Sequence, residues 1–401
     1  MQRRFSSVDA EFSLAWLLQP VSVQTFLDQI WAKTRYHVER HCAGYFDSLL
    51  PGSSVAEELV ELFCQESCEL RLVKGKDKKG ADSYRFEDAG VDVARIHDDF
   101  AAGYTIVLDG VERHVRAVAA LSQSIEVELN FPVQVNAYLS PPGSQGLVAH
   151  YDDHDVLILQ IQGSKIWHVY EGADIPPRDM QRDRENAVAT EGLPPPIDVN
   201  LQAGDVLYLP RGKVHEAETI AEPSLHLTVG VHAPTAFTLA VGALYQQSFH
   251  DDRLNAQLPP RHLDDPDLHA AVDALMRDTV KTVEDPNAIT RGLDALADVL
   301  VRRGRCPPVG PISDVAGLDA ETVVRKYQPL YSRVRTESSG VTLQFASLSV
   351  GAAPDHKDAM EFVSRSVESF RIGELPGLSE RQQIELARTL IVSGFLVRLP
   401  D

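Results

Sequence analysis

The sequence predicts an α+β protein in which a β-sandwich or barrel lies between helical segments. Three observations lead there. Short alternating or apolar runs (YTIVLD, SIEVELNF, VQVNAYL, DVLILQIQ, KIWHVY, DVLYLP, LHLTVGVH) crowd residues 104–235, separated by the turn sequences PPGSQG, QGS, AGD and PRGK, a texture expected of a sheet-built domain. The flanking segments instead space their apolar residues at helical intervals. Finally, 401 residues with 44% hydrophobic and 24% charged residues suit an ordinary globular chain with a sizeable core and two or three domains.

Taken in order, VSVQTFLDQIWAKTRYHVERH (21–41) and VAEELVELFCQESCEL (55–70) read as helices. Cys64 and Cys68 fall about one turn apart on the second. Neither they nor Cys42 and Cys306 have two further ligands at matching spacing, so reduced structural thiols are expected rather than zinc. The strand region is interrupted by residues 171–200, a connection long enough to be a lid or a substrate-contacting loop. Beyond 235, Leu268, Val272, Leu275, Met276 and Val280 keep helical spacing. So do Ile289, Leu293, Leu296 and Leu300, ending at Gly304 before Pro307 and Pro308. Such a stripe is core or dimer interface. In the tail, Ser379 and Gln382 form a capping-box pattern, Ile384, Ala387 and Ile391 share a face, and Gly394 stops the helix before the strand FLVRL. Helices running into a short strand suggest a winged-helix-like module. Its last 41 residues hold five Arg, no Lys and six acidic residues, which argues against DNA binding. The expected division is 1–238 with the β-core and N-terminal helices, 239–315 as a helical dimerisation region, and 316–401 as the winged-helix-like domain.

The formal charge of −20 disfavours direct nucleic-acid contact, which needs clustered cations, and is compatible with a basic protein or peptide partner. No apolar run approaches the roughly 20 residues of a membrane span. Asp9 and Glu11 fall where a signal peptide needs its apolar stretch, so a cytoplasmic location is the expectation.

The chemistry concentrates in HYDDHDVLILQIQGSKIWHVY (150–170). In a strand, residues two apart share a face, so His150 and Asp152 point the same way and an imidazole and a carboxylate reach one metal ion together. Most H-x-D triplets sit on wet surfaces, so a third ligand must come from elsewhere. GDVLYLPRGKVHEAE offers His215, opening a strand after two turns. Two His and one carboxylate make the facial triad of non-haem Fe(II) oxygenases, with coordination positions left open. Strand parity places Asp153 on the opposite face, while His154 stands too far along to ligate; His154 and Asp155 are expected to make structural hydrogen bonds. A buried Lys165 would need an anion; the plainer reading is a turn lysine in water. In SLHLTVGVH, Leu225, Leu227, Val229 and Val231 share one face and Ser224, His226, Thr228, Gly230 and His232 the other, as in a strand lining a cavity, with His232 ending it at the surface.

The combined pattern, H-x-D, then D-V-x-x-L-Q-x-x-G-x-K-x-W, then G-D-x-L-Y-x-P-x-G-x-x-H, resembles JmjC-type, cupin-fold oxygenases, specifically the ribosomal oxygenases, densely over about 130–235. The resemblance implies a double-stranded β-helix (jelly-roll) core. It further implies Fe(II) held by His150, Asp152 and His215, with 2-oxoglutarate and O2 as co-substrates. By the same resemblance Lys165 pairs with the distal carboxylate of 2-oxoglutarate, Asn136, Tyr138 and Thr228 help hold it, and His226 lies near iron or substrate. Gly230 departs from a hydroxylated residue in some relatives. The implied activity is hydroxylation of a side-chain β-carbon, with ribosomal-protein His or Arg as the substrate class, in a homodimer. Lys165, where some relatives carry Arg, leans towards the histidine hydroxylases. Alternatives are tailoring of a peptide natural product by the same chemistry and a catalytically silent cupin scaffold. N-methyl-lysine demethylation would need a recess for the methylammonium group, of which the sequence gives no sign.

Overall fold

The computed structural model describes residues 12–40, 42–65, 70–86, 90–177, 186–304 and 315–399. Asp9, Glu11, Cys68, Cys306, Pro307 and Pro308 lie outside them. The chain forms two compact units, one of residues 1–129 and 133–233, the other of 130–132 and 234–401.

In the first unit the elements are α1 (Leu14–Leu18), α2 (Val23–Gln29), β1 (Tyr36–Val38), α3 (Val55–Gln65), β2 (Leu70–Lys74), β3 (Asp77–Lys79), α4 (Val93–Ala101), β4 (Thr105–Leu108), α5 (Arg116–Leu129), β5 (Val133–Ser140), β6 (Asp155–Gln162), β7 (Ser164–Val169), β8 (Ile197–Gln202), β9 (Val206–Leu209), β10 (His215–Glu218) and β11 (Ser224–Val231). Eight strands form one sheet in the order β1-β9-β6-β11-β5-β4-β2-β3, and β10-β7-β8 form a second. Their paired strands all run antiparallel. Val156, Ile158, Leu207 and Leu209 from the large sheet pack with Trp167, Val169, Val199, Leu201 and Ala217 from the small one in one buried cluster, which makes the unit a two-sheet jelly roll. β11 sits in the middle of the large sheet, between β5 and β6. Its Leu225, Leu227, Val229 and Val231 are buried on one face, each contributing roughly 1.5–3 kcal/mol of apolar burial.

Three segments differ from the sequence expectation. SIEVELNF is not a strand: its first six residues complete α5, in which Val118, Leu121 and Ile125 are buried at helical spacing while Val127 is exposed. The 3.6-residue period outweighs the local alternation. The first helical pattern stops at Gln29, and Tyr36–Val38 instead pairs with β9, a non-local partner that helix spacing cannot reveal. Within the long connection, Ile197–Gln202 is β8, ladder-paired with β7 and burying Val199 and Leu201.

The second unit contains α6 (Ala236–Gln247), α7 (His269–Val283), α8 (Pro286–Arg303), β12 (Val323–Lys326), β13 (Ser332–Glu337), β14 (Gly340–Phe345), β15 (Leu348–Ala352), α9 (Lys357–Arg365), β16 (Phe370–Arg371), α10 (Glu380–Val392) and β17 (Leu396–Arg398). Two three-stranded sheets, β16-β12-β17 and β13-β14-β15, pack with α9 and α10 around Phe345, Met360, Leu390 and Phe395. The tail helix forms as its caps predict: the Ser379 N–H donates to Gln382 Oε1 at 3.1 Å, and Gly394 follows it at φ +77°. Among the described residues no helix is long and apolar enough to cross a membrane.

A candidate metal centre in the jelly roll

His150 and His215 are 65 residues apart in sequence but exchange both backbone hydrogen bonds, His150 N to His215 O at 3.0 Å and His215 N to His150 O at 2.8 Å. That reciprocal pair sets the two rings side by side, 4.5 Å between centroids. Asp152 is brought in differently from the strand-parity expectation: residues 151–154 belong to no strand, and β6 starts at Asp155. Its carbonyl accepts from Gly212 N at 2.8 Å, and its carboxylate lies 3.9 Å from His150 Nε2 and 3.6 Å from His215 Nε2. All three ligand atoms fall within 4.8 Å of one another.

The rings are oriented for ligation. His150 Nδ1 bonds the Val148 carbonyl at 2.8 Å and His215 Nδ1 the Lys213 carbonyl at 2.9 Å. A carbonyl only accepts, so each Nδ1 carries a proton and Nε2, which faces Asp152, is the atom each ring offers a metal. Burial, with the neighbouring His150, lowers the His215 pKa and keeps its ring neutral. Burial alone would raise the Asp152 pKa, but the positive charge that the His150 and His215 rings carry when protonated outweighs it and holds the group below the usual carboxylate value. Two imidazoles and a carboxylate are a fitting donor set for a divalent transition metal. Lys213, two residues before His215, is buried and tied to Glu171 at 3.0 Å and Asp174 at 2.6 Å, so the long connection braces the metal-binding segment.

The triad lies in a cavity of about 360 Å³ whose walls also include Lys165, Tyr138, Trp167, His226 and Thr228. Lys165 is 4% exposed. Its ammonium donates to Ser140 Oγ at 2.8 Å, and Ser140 Oγ lies 2.9 Å from Thr105 Oγ1. No ion pair forms at Lys165 among the described residues, and burial pushes its pKa down to about 7. Tyr138 stacks on His226, centroids 4.9 Å apart with planes 1° from parallel; they are opposite residues on β5 and β11. Burial raises the Tyr138 pKa to about 12 and, with Lys165 nearby, drives that of His226 well below its ordinary value, so phenol and imidazole are both neutral. Two buried polar atoms on this wall, Trp167 Nε1 and His226 Nδ1, lack a hydrogen-bond partner. A buried cation with no anion beside unsatisfied polar atoms is costly in isolation and fits an anionic ligand that would pair with them.

Of the sequence-predicted residues, His150, Asp152, His215, Lys165, Tyr138, Thr228 and His226 converge on the cavity. Asn136 does not line it; its Oδ1 accepts from Gly110 N at 3.0 Å and Gln134 Nε2 at 3.1 Å. Asp155 accepts from the Tyr208 hydroxyl at 2.6 Å. Sequence reasoning missed Ser140, although it follows Asn136 and Tyr138 at the same two-residue step. It missed Trp167, which stands two residues after Lys165, and Arg71, Lys76, Lys78, Asn186 and Ala187, which also line the cavity. Asn186 and Ala187 come from the long connection, which runs beside His150: Val188 N donates to Ala149 O at 2.8 Å.

A jelly roll carrying a His-Asp-His cluster is a cupin-type fold with the donor set of a metal centre. Residues 113–239 match the JmjC domain. It is 30% identical over 231 residues to the bifunctional lysine-specific demethylase and histidyl-hydroxylase NO66 of Drosophila mojavensis, and 30% over 229 residues to that of Drosophila melanogaster. These alignments cover 56% of this chain but 25% and 34% of the relatives, so the matched part spans a quarter to a third of their length. The fold is that of E. coli YcfD, whose X-ray structure superposes with a TM-score of 0.60 at 19% identity, covering 94% of this chain and 98% of that one. The ribosomal oxygenase YcfD in complex with cobalt and 2-oxoglutarate superposes with a TM-score of 0.59 at 19% identity, covering 95% and 99%.

Proposed function

We propose that this chain is a 2-oxoglutarate- and Fe(II)-dependent hydroxylase of a protein side chain. The observation that carries the reading is the convergence of His150, Asp152 and His215, from two distant segments, on one point in a cavity that also holds an uncompensated buried lysine. The relatives' names, histidyl-hydroxylase and ribosomal oxygenase, support it, as does the cobalt and 2-oxoglutarate complex of YcfD. Bound Fe(II) and 2-oxoglutarate would supply the oxidising chemistry, consuming O2 and releasing succinate and CO2 as oxygen enters a C–H bond.

The residues divide the work. His150 and His215 would hold iron through Nε2 and Asp152 through its carboxylate. Lys165, fixed by Ser140, would take the far carboxylate of 2-oxoglutarate, with Thr228, the Tyr138 hydroxyl and the Trp167 N–H as further polar contacts. His226, neutral and clamped between Tyr138 and Trp167 at 4.9 and 5.4 Å, would shape the wall without adding charge. The apolar wall of Val156, Ile158 and Ala217 would exclude water from the reacting carbon.

The cavity also bears on the target residue. Its lining includes the cations Arg71, Lys76, Lys78 and Lys165, and among the described lining residues Asp152 is the one carboxylate. Arg71 is held by Asp109 at 2.6 and 2.7 Å and Lys165 would be taken by the co-substrate, so the exposed Lys76 and Lys78 are left to repel a guanidinium or methylammonium group, a modest cost that a neutral imidazole would not meet. We therefore favour a histidine on a basic partner, with a ribosomal protein as the leading candidate, over arginine hydroxylation or lysine demethylation. The opposite sign of net charge and cavity lining is no conflict: whole-chain charge governs approach of the partner, cavity charge the inserted side chain. The reading places the protein in the cytoplasm. It also takes 239–315 as a dimerisation region, because Phe237, Val241, Tyr245 and Phe249 form one exposed apolar row along and just past α6; light scattering returning a monomer mass would contradict the dimer.

Purified protein with Fe(II) is expected to release succinate from 2-oxoglutarate, and His215→Ala to abolish the release; unchanged turnover would refute the centre. Comparing ribosomal proteins from cells with and without the gene by mass spectrometry should reveal one histidine heavier by one oxygen atom. No such difference would favour peptide tailoring.

A further inference from the structure

We propose that Asp153, His154 and His232 form a second divalent transition-metal site, distinct from the His150–Asp152–His215 centre. Their candidate ligand atoms all lie within 4.8 Å of one another. The topology explains the convergence. Val231 at the end of β11 pairs with Asp155 at the start of β6, so the next residue outward on each chain, His232 and His154, come opposite each other just beyond the ladder. Their rings stack with centroids 4.4 Å apart and planes 29° from parallel. Asp153 Oδ1 is 2.8 Å from His154 Nδ1.

Gly230 makes room for this arrangement. A Cβ there would sit 2.7 Å from His154 Cδ2 and 2.8 Å from its Nε2, so any side chain would displace the ring. The absence of a hydroxylated side chain at 230 thus has a structural counterpart in the position of His154.

Two imidazoles and one carboxylate select for Zn2+, Co2+, Ni2+ or Cu2+ rather than Mg2+ or Ca2+. At metal–ligand distances of about 2.0–2.1 Å the ligand atoms must close to about 3 Å apart. Residues 151–154, which carry no strand pairing, can supply that movement. Asp153 is exposed and both histidines half-buried, so water would complete the coordination and the site would be weaker than the enclosed triad. Because Asp152 and Asp153 are consecutive, metal here would also restrain the loop that carries Asp152.

The test is a count of bound zinc. Full-length protein is stripped of metal, titrated with Zn2+ alone in a calorimeter, and its zinc content measured after gel filtration. Wild type is expected to bind one equivalent more than His232→Ala, and the His150→Ala/His215→Ala double variant to keep the outer equivalent until His232→Ala is added. Equal zinc content in wild type and His232→Ala overturns the proposal, whatever the triad variants do. Should His232→Ala fail to fold by circular dichroism, Asp153→Asn at an exposed position decides: losing one equivalent supports the site, losing none overturns it. The triad's own failure would read out separately, as no loss in the His150→Ala/His215→Ala protein.

Discussion

Lys165 is the residue whose replacement most directly tests how the cavity is built. A lysine held near 7 rather than at its ordinary 10.5 costs about 5 kcal/mol whenever it is charged in the folded, ligand-free protein. Lys165→Met keeps length and apolar bulk while removing the charge. It also removes the hydrogen bond to Ser140, worth about 1 kcal/mol, although Ser140 retains Thr105. The ligand-free variant should therefore be more stable than wild type by about 4 kcal/mol at pH 6. The difference has a defined pH course. Below about 7 the amine is charged in both folded and unfolded states, and the folded state bears the whole cost. Between about 7 and 10.5 the unfolded chain holds a proton that the folded one has lost, so wild-type stability climbs with pH. Above 10.5 the cost is gone and wild type should be ahead by about the 1 kcal/mol of the Ser140 hydrogen bond. Urea denaturation of metal-free protein from pH 6 upward measures this. A second arm adds 2-oxoglutarate with Co2+ in place of iron: wild type should be stabilised and Lys165→Met much less. A variant less stable than wild type at pH 6, or a difference that does not shrink as pH rises, would refute the claim that Lys165 is a buried charge awaiting an anion.

Three further outcomes follow from the same geometry. Trp167→Phe keeps an aromatic ring but removes the N–H, and should weaken 2-oxoglutarate binding by about 1–2 kcal/mol, read as a 5- to 30-fold rise in its KM, with a fall in Tm because the smaller ring underfills the buried cluster. Gly212, at φ +81°, packs where a Cβ would overlap the Ile175 carbonyl oxygen, and its N–H holds the Asp152 carbonyl; Gly212→Ala should cost about 2 kcal/mol or more, lower Tm and weaken triad metal binding together. Gly230→Ala should push His154 aside at a cost of about 1–3 kcal/mol, while succinate release without protein substrate continues.

Helix existence and the central strands could be read locally, because a 3.6-residue stripe or an apolar run between turns reports burial directly. The errors arose where local pattern and distant partner disagree. Ile125, Val127 and Leu129 alternate as a strand would, yet the buried set Val118, Leu121 and Ile125 keeps the segment helical. Tyr36–Val38 and Ile197–Gln202 are too short or too embedded in loop sequence to declare themselves, and are strands because β9 and β7 offer them a ladder. The site was legible through residue type and motif spacing. The supporting cast was less so: Ser140 and Trp167 look like ordinary strand residues until the fold turns them towards Lys165 and the triad, and Asn136 looks like a ligand contact until Gly110 and Gln134 occupy its oxygen.

By itself the sequence determined which side chains could bind a metal and that a sheet domain would present them, since donor chemistry is a property of residue type and strand patterning of the local chain. Only the tertiary structure decided that His150 and His215 share a backbone hydrogen-bonded pair and that Asp152 reaches them from an unpaired loop. It alone left Lys165 buried without an anion and set Asp153, His154 and His232 together. Each of those facts depends on distances between segments far apart in the chain, which are fixed by strand register and packing and leave no mark in any short window of residues.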